Sequence, residues 1–153
     1  LEGIADYIAQ QRSAGLPHSS YPPIESCILC LDFEREERRR RISRRLRERL
    51  EEQDMLGEVR GLLEAGIAPE TLLRYGLEYR FLTLHLTGEL SYEAMYRGLE
   101  TAIHQFAKRQ MTWFRGMERR GFTLHYIDAT QPRPAQLAEA LSLWERWQQY
   151  TAD

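Results

Sequence analysis

Long apolar runs are missing from this 153-residue chain. Nothing approaches the roughly 18 to 20 consecutive apolar residues that a bilayer-spanning helix needs, so a transmembrane helix is excluded. The opening stretch, LEGIADYIAQQ, is acidic and amphipathic, whereas a secretory signal begins basic and then turns apolar. Cysteine is scarce: only Cys27 and Cys30 occur, too few for a disulfide framework, and this points to a reducing cytoplasm. Lysine is nearly absent, since 20 of the 21 basic residues are arginine and Lys108 stands alone. Methionine is missing from the first position, where Leu1 stands, so a portion of a longer protein is expected.

Catalytic signatures are missing as well. The chain holds no G-x-x-x-x-G-K-[ST], G-x-G-x-x-G, G-x-S-x-G or H-E-x-x-H. His18, His85, His104 and His125 fall on separate predicted elements, so no metal site is expected. Cys27-Ile28-Leu29-Cys30 spells a C-x-x-C, but on a strand residues three apart point to opposite faces. These cysteines are read as packing residues. Read alone, the chain shows no complete catalytic constellation.

What is present is one folded, mostly helical unit. Apolar residues make up 42% and aromatics 10%, which excludes a disordered chain. Net charge is only −2, yet charge is unevenly placed. Nine arginines face four glutamates between Glu34 and Arg49, and six cations face two glutamates between Arg97 and Arg120. Basic sectors on a nearly neutral chain suit a polyanion. The pattern predicts a helix ending near Gln11, a proline-rich loop over residues 16–25, and a buried strand over Ser26–Phe33. Helices follow over Glu34–Glu52, Met55–Ala65, Pro69–Leu86 and from Ser91 to about Met117. A second strand over Phe122–Asp128 precedes a last helix over Ala135–Tyr150.

Three stretches invite a functional reading. On the first basic helix Ile42, Leu46 and Leu50 form a core stripe, with Arg41, Arg45 and Arg49 beside it. Glu37–Arg41 and similar pairs fit a solvated helix, while aligned arginines also suit a phosphate clamp. Over Leu73–Leu84, the residues Leu73, Leu77, Phe81 and Leu84 form the buried side, Arg74 and Glu78 pair at i,i+4, and Tyr75 and Tyr79 lie one position further round. Those tyrosines, beside Arg74 and Arg80, suit stacking on unpaired bases or half-buried packing. In FAKRQMTWFR, Leu99, Ile103, Phe106 and Trp113 continue a core stripe. Lys108, Thr112 and Arg115 fall opposite, with Arg109 and Gln110 close by, an arrangement suited to a phosphate backbone and one base edge.

AKRQMTWFR resembles the hallmark A-K-R-Q-x-T-W-x-R of the tRNA dimethylallyltransferase (tRNA isopentenyltransferase) family. Further matches follow its order: LEGIADY, CILCLDF with the following RE, Arg41-Ile42-Ser43-Arg44-Arg45, Gly57-Glu58-Val59-Arg60, Gly88-Glu89-Leu90-Ser91-Tyr92 and His125-Tyr126-Ile127-Asp128. The resemblance covers the chain to about Asp128. It implies the C-terminal portion of an enzyme that moves a dimethylallyl group from its diphosphate to the exocyclic amine of the adenosine 3′ of the tRNA anticodon. The P-loop, the general base and the Mg2+ site then lie in an N-terminal half, so this portion alone is expected to be inactive.

The implied fold is α/β and predominantly helical. About six helices accompany two strands that belong to the larger parallel sheet of a P-loop NTPase-like core. Residues 1–153 form a single portion: 1–33 with the core strand, 34–120 as the RNA-contacting helical region, and 121–153 as closing strand and helix. Arg45 is implied as the arginine contacting the diphosphate. Its spacing to Glu58 is one residue longer than the family pattern, which keeps Arg44 as a rival; Arg41 is a second rival. Tyr75, Glu78, Tyr79, Arg80, Lys108, Arg109, Gln110, Thr112, Trp113 and Arg115 match segments that touch tRNA. The implied partners are the tRNA anticodon stem-loop and dimethylallyl diphosphate, with self-association of the truncated chain through open strand edges. Two departures from the pattern are Glu78 in Leu77-Glu78-Tyr79, where a glycine is usual, and Ile103-His104, where Thr-Arg is usual. The alternative is a stand-alone helical module that binds RNA or protein without catalysis.

Overall fold

The computed structural model describes residues 25–151. The helix expected near residues 1–11, most of the proline loop and the LEGIADY match lie outside them. The element order is β1 (Ile28–Asp32), α1 (Arg35–Glu51), α2 (Met55–Glu64), α3 (Pro69–Arg74), α4 (Leu77–Leu86), α5 (Tyr92–Arg119), β2 (Leu124–Asp128) and α6 (Arg133–Thr151). The described residues therefore hold six helices and two strands, where the sequence pattern predicts five helices and two strands over the same span.

The two strands pair in parallel, with Ile28 opposite Leu124 and Asp32 opposite Asp128. Parallel pairing needs a long crossover, and here all five helices from α1 to α5 lie between the strands. Cys30 and Ile127 are buried, but Leu31 is 62% exposed. A parallel sheet is normally covered on both faces, so this pair has the form of a sheet with neighbours still to be added.

The core sits among the helices. Leu46 and Leu50 of α1, Met55 and Val59 of α2, Leu72 of α3, Leu82 of α4 and Met95 and Leu99 of α5 form one buried cluster. Polar caps fix the starts of several helices. Glu34 accepts from the amides of Glu36 and Glu37, Asp54 from Gly57, and Ser91 from Ala94; each satisfies amides with no partner inside the helix.

Four expectations need correction. The single helix over Pro69–Leu86 is two helices, because Gly76 adopts φ 147° and ψ 175°, a conformation that only glycine takes without cost. The break resets the helical phase: Leu72, Leu82 and Thr83 are the deeply buried positions, while Leu73, Leu77, Phe81 and Leu84 are half-buried. Arg74 and Glu78 consequently lie on different helices, and Glu78 pairs instead with Arg49 at 3.4 Å. Phe106 and Trp113 do not continue the core stripe of α5. They are 49% and 63% exposed, because the core packing beneath α5 ends at Ile103.

Candidate nucleic-acid interface

The junction between β1 and α1 is held by its own side chains. Asp32 Oδ1 accepts from the Phe33 amide at 2.8 Å and from the Arg38 guanidinium at 2.7 Å. The same Arg38 nitrogen donates to the Phe33 carbonyl at 2.7 Å. This clasp turns the chain from strand into helix and aims the first turns of α1 at the middle of α5. Ser43 and His104 meet across the two helices at 3.4 Å.

Between these elements lies an open groove of about 760 Å³. Arg35, Arg38, Arg39 and Ile42 of α1 form one wall, and Thr101, His104, Lys108, Met111, Thr112 and Arg115 belong to the α5 wall. Five cations thus face the groove against two carboxylates, Asp32 and Glu34. Arg38 is committed to Asp32, whereas Arg39, Lys108 and Arg115 have no ion-pair partner among the described residues. Such an excess in a concave surface attracts a polyanion and is weakened by salt. The groove stands at the carboxyl end of a parallel strand, where open α/β sheets bind ligands.

The sequence candidates divide between surfaces. Lys108, Thr112 and Arg115 line the groove together, as their helical spacing indicates; the Thr112 hydroxyl donates to the Lys108 carbonyl at 3.1 Å and offers a ligand its lone pairs. Arg109, Gln110 and Trp113 are exposed outside the groove, and the guanidinium of Arg120 lies 5.1 Å from the Trp113 ring centroid, a cation–π contact. Arg41, Arg44 and Arg45 do not line the groove. Arg41 is tied to Glu37 at 2.8 Å and lies over the Phe33 ring at 4.5 Å. Arg44 faces Glu48 at 3.5 Å, and Arg45 is exposed.

Tyr75, Glu78, Tyr79 and Arg80 form a second surface near the other end of α1. The rings of Tyr75 and Tyr79 meet edge to face with centroids 5.3 Å apart. Tyr79 donates its hydroxyl to Glu58 at 2.5 Å, and this bond, followed by burial, pushes the phenol above the ordinary tyrosine range. Arg39 and Arg49 mark the two surfaces on α1; at 1.5 Å per residue they stand roughly 15 Å apart along the helix.

Arg35, Arg38, Arg39, Thr101, His104 and Gln105 line the groove without having been singled out as contacts. The strand-to-helix switch at Asp32–Arg35 could have found the arginines, since it marks the strand's carboxyl end. Among the described residues no group of three or more His, Cys, Asp or Glu side chains could hold a metal ion. The described residues therefore offer no ready-made side-chain cluster for Mg2+. No described helix is long and apolar enough to cross a membrane.

Known proteins share the sequence and the fold of this chain. The IPP transferase family model matches residues 4–117. A tRNA dimethylallyltransferase 2 of Porphyromonas gingivalis is 54% identical over 141 residues, which is 92% of this chain and 45% of that protein. A tRNA dimethylallyltransferase 2 of Bacteroides fragilis is 58% identical over 112 residues, or 73% of this chain and 36% of that one. The chain thus spans less than half the length of these curated relatives. Two solved structures share the fold, each with a TM-score of 0.66. One is a tRNA delta(2)-isopentenylpyrophosphate transferase from Staphylococcus epidermidis, 22% identical, covering 81% of this chain and 39% of the other. The second is a tRNA isopentenylpyrophosphate transferase from Bacillus halodurans, 20% identical, covering 97% of this chain and 49% of that one. With a family match over well more than half its length and the ordered motifs in place, the chain belongs to the IPP transferase family.

Proposed function

We propose that this chain forms the RNA-contacting side of a tRNA dimethylallyltransferase. The enzyme breaks the bond between the dimethylallyl C1 and its diphosphate oxygen and forms a bond from C1 to the exocyclic nitrogen of an adenosine beside the anticodon. Diphosphate leaves, and a base outside this chain takes the nitrogen's proton. The adenosine must leave its stack to be reached, as base chemistry generally requires. The observation that carries this reading is the groove in which Arg39, Lys108 and Arg115, without carboxylate partners among the described residues, face one another across α1 and α5.

In this reading Lys108, Thr112 and Arg115 take the RNA backbone. Arg39 and Arg35 are nearer the groove than Arg45 and share the diphosphate role proposed for it, while Tyr75 and Tyr79 offer ring faces to unpaired bases. Arg109, Gln110 and Trp113 are the outer contacts of α5. Mg2+ binding and the P-loop belong to the remaining length seen in the relatives, and the expected compartment is the cytoplasm. The test is prenyl transfer to an anticodon stem-loop by the intact gene product. Lys108→Glu and Arg115→Glu should each lower kcat/KM at least tenfold through KM, as expected when a cation in a charged groove is reversed. Unchanged kinetics in both variants would contradict the groove as the RNA path.

A further inference from the structure

We propose that Glu58 is a positioning residue: from α2 it holds the phenol of Tyr79, so that Tyr79 and Tyr75 stand as a fixed platform for an unpaired base. The inference rests on the RNA-contacting reading above and gives a task to the Gly57-Glu58-Val59-Arg60 motif, which the groove leaves unused. Helix α4 restarts at Gly76 with no side-chain cap. Its first turn is instead tied down from two neighbouring helices. Glu58 takes the Tyr79 hydroxyl at 2.5 Å, and Arg49 of α1 reaches Glu78 at 3.4 Å.

Glu58 is itself well anchored. It lies in the first turn of α2, where its amide donates to the Asp54 carbonyl at 3.1 Å. Asp54 adopts a left-handed φ of 45° and caps the helix through Gly57. The phenol has only one proton to donate, and Glu58 takes it. Tyr79 is half-buried, with its ring packed against the core cluster, so it offers a ligand the outer part of that ring, and the carboxylates of Glu58 and Glu78 beside it disfavour phosphate there. Tyr75, 74% exposed and edge-on to Tyr79, extends the surface outward. A charge-assisted bond to the phenol also accounts for its raised pKa.

A double-mutant cycle on the intact gene product, read as affinity for an anticodon stem-loop RNA, tests the assignment. Glu58→Ala and Tyr79→Phe should each weaken binding about fivefold, the scale of one net hydrogen bond. The double variant should be no weaker than either single one. Glu58→Gln, which keeps an acceptor, should stay within about twofold of the parent. In Glu58→Ala the Tyr79 phenol should titrate closer to an ordinary tyrosine. Additive losses, or no loss in either single variant while Tyr79→Ala still weakens binding, would overturn the positioning role and leave the platform intact. Unchanged affinity in Tyr79→Ala would instead remove the platform and the inference with it.

Discussion

Arg38 and Arg39 are neighbours in a run of arginines, yet their surroundings give them different work. Arg38 spends its guanidinium on Asp32 and the Phe33 carbonyl, closing the turn between β1 and α1. Arg39 faces the groove with no ion-pair partner among the described residues. The two cysteines divide in the same way. Cys30 is 6% exposed and Cys27 is half-buried. Burial first, then the charges of Glu118 and Asp32, push the Cys30 thiol up, and only the thiolate is nucleophilic. Alkylation by iodoacetamide at neutral pH should therefore label Cys27 at least tenfold faster than Cys30, with the rates read by mass spectrometry. Equal rates would show that the strand opens readily. That Cys30 packs inward was legible from the apolar strand around it. Which of the nine arginines face the groove was not, because the helical spacing of Arg41, Arg45 and Arg49 says nothing about where α5 lies.

At the scale of elements, most helices and both strands were legible, because caps and apolar spacing are local. The break at Gly76 was missed because leucines on both sides of it keep an apparent helical rhythm. The exposed aromatics of α5 were misread for a related reason: Phe106 and Trp113 continue the spacing of Leu99 and Ile103, but spacing alone cannot show where the covering helices stop. Close packing of α4 on α5 is marked by Gly98, where an added Cβ would stand 2.5 Å from Phe81 Cε1. Gly98→Ala should therefore destabilise the chain by about 1–3 kcal/mol, as overpacking does. Gly61, inside α2, has nothing within 4 Å of an added Cβ, so Gly61→Ala should stabilise by about 0.5–1 kcal/mol. Urea midpoints that move the same way for both variants would contradict this packing.

At the scale of the whole molecule, apolar surface stands exposed among the described residues. Leu29 and Leu31 on β1 are exposed, and so are Leu137, Leu141 and Trp144 on α6, which fall at i, i+4 and i+7 on one face. A half-covered parallel pair with such a stripe beside it is a surface built to be buried. The 153-residue chain alone should self-associate at micromolar concentration, with sedimentation velocity showing species above the 18.1 kDa monomer. Leu31→Lys should reduce them. A sharp monomer boundary throughout would show that these faces tolerate water. The parallel pairing of β1 and β2 was legible only through the family resemblance, since two strands roughly ninety residues apart carry no local sign of partnership.

The groove between α1 and α5 is tested most directly by the salt dependence of binding to an anticodon stem-loop. If Lys108 and Arg115 each neutralise a phosphate, log K should fall with log salt at a slope of about −1.4 to −1.8, and Lys108→Glu should reduce that slope by about 1. A flat salt response, or a slope unchanged by Lys108→Glu, would show that RNA does not run through this groove.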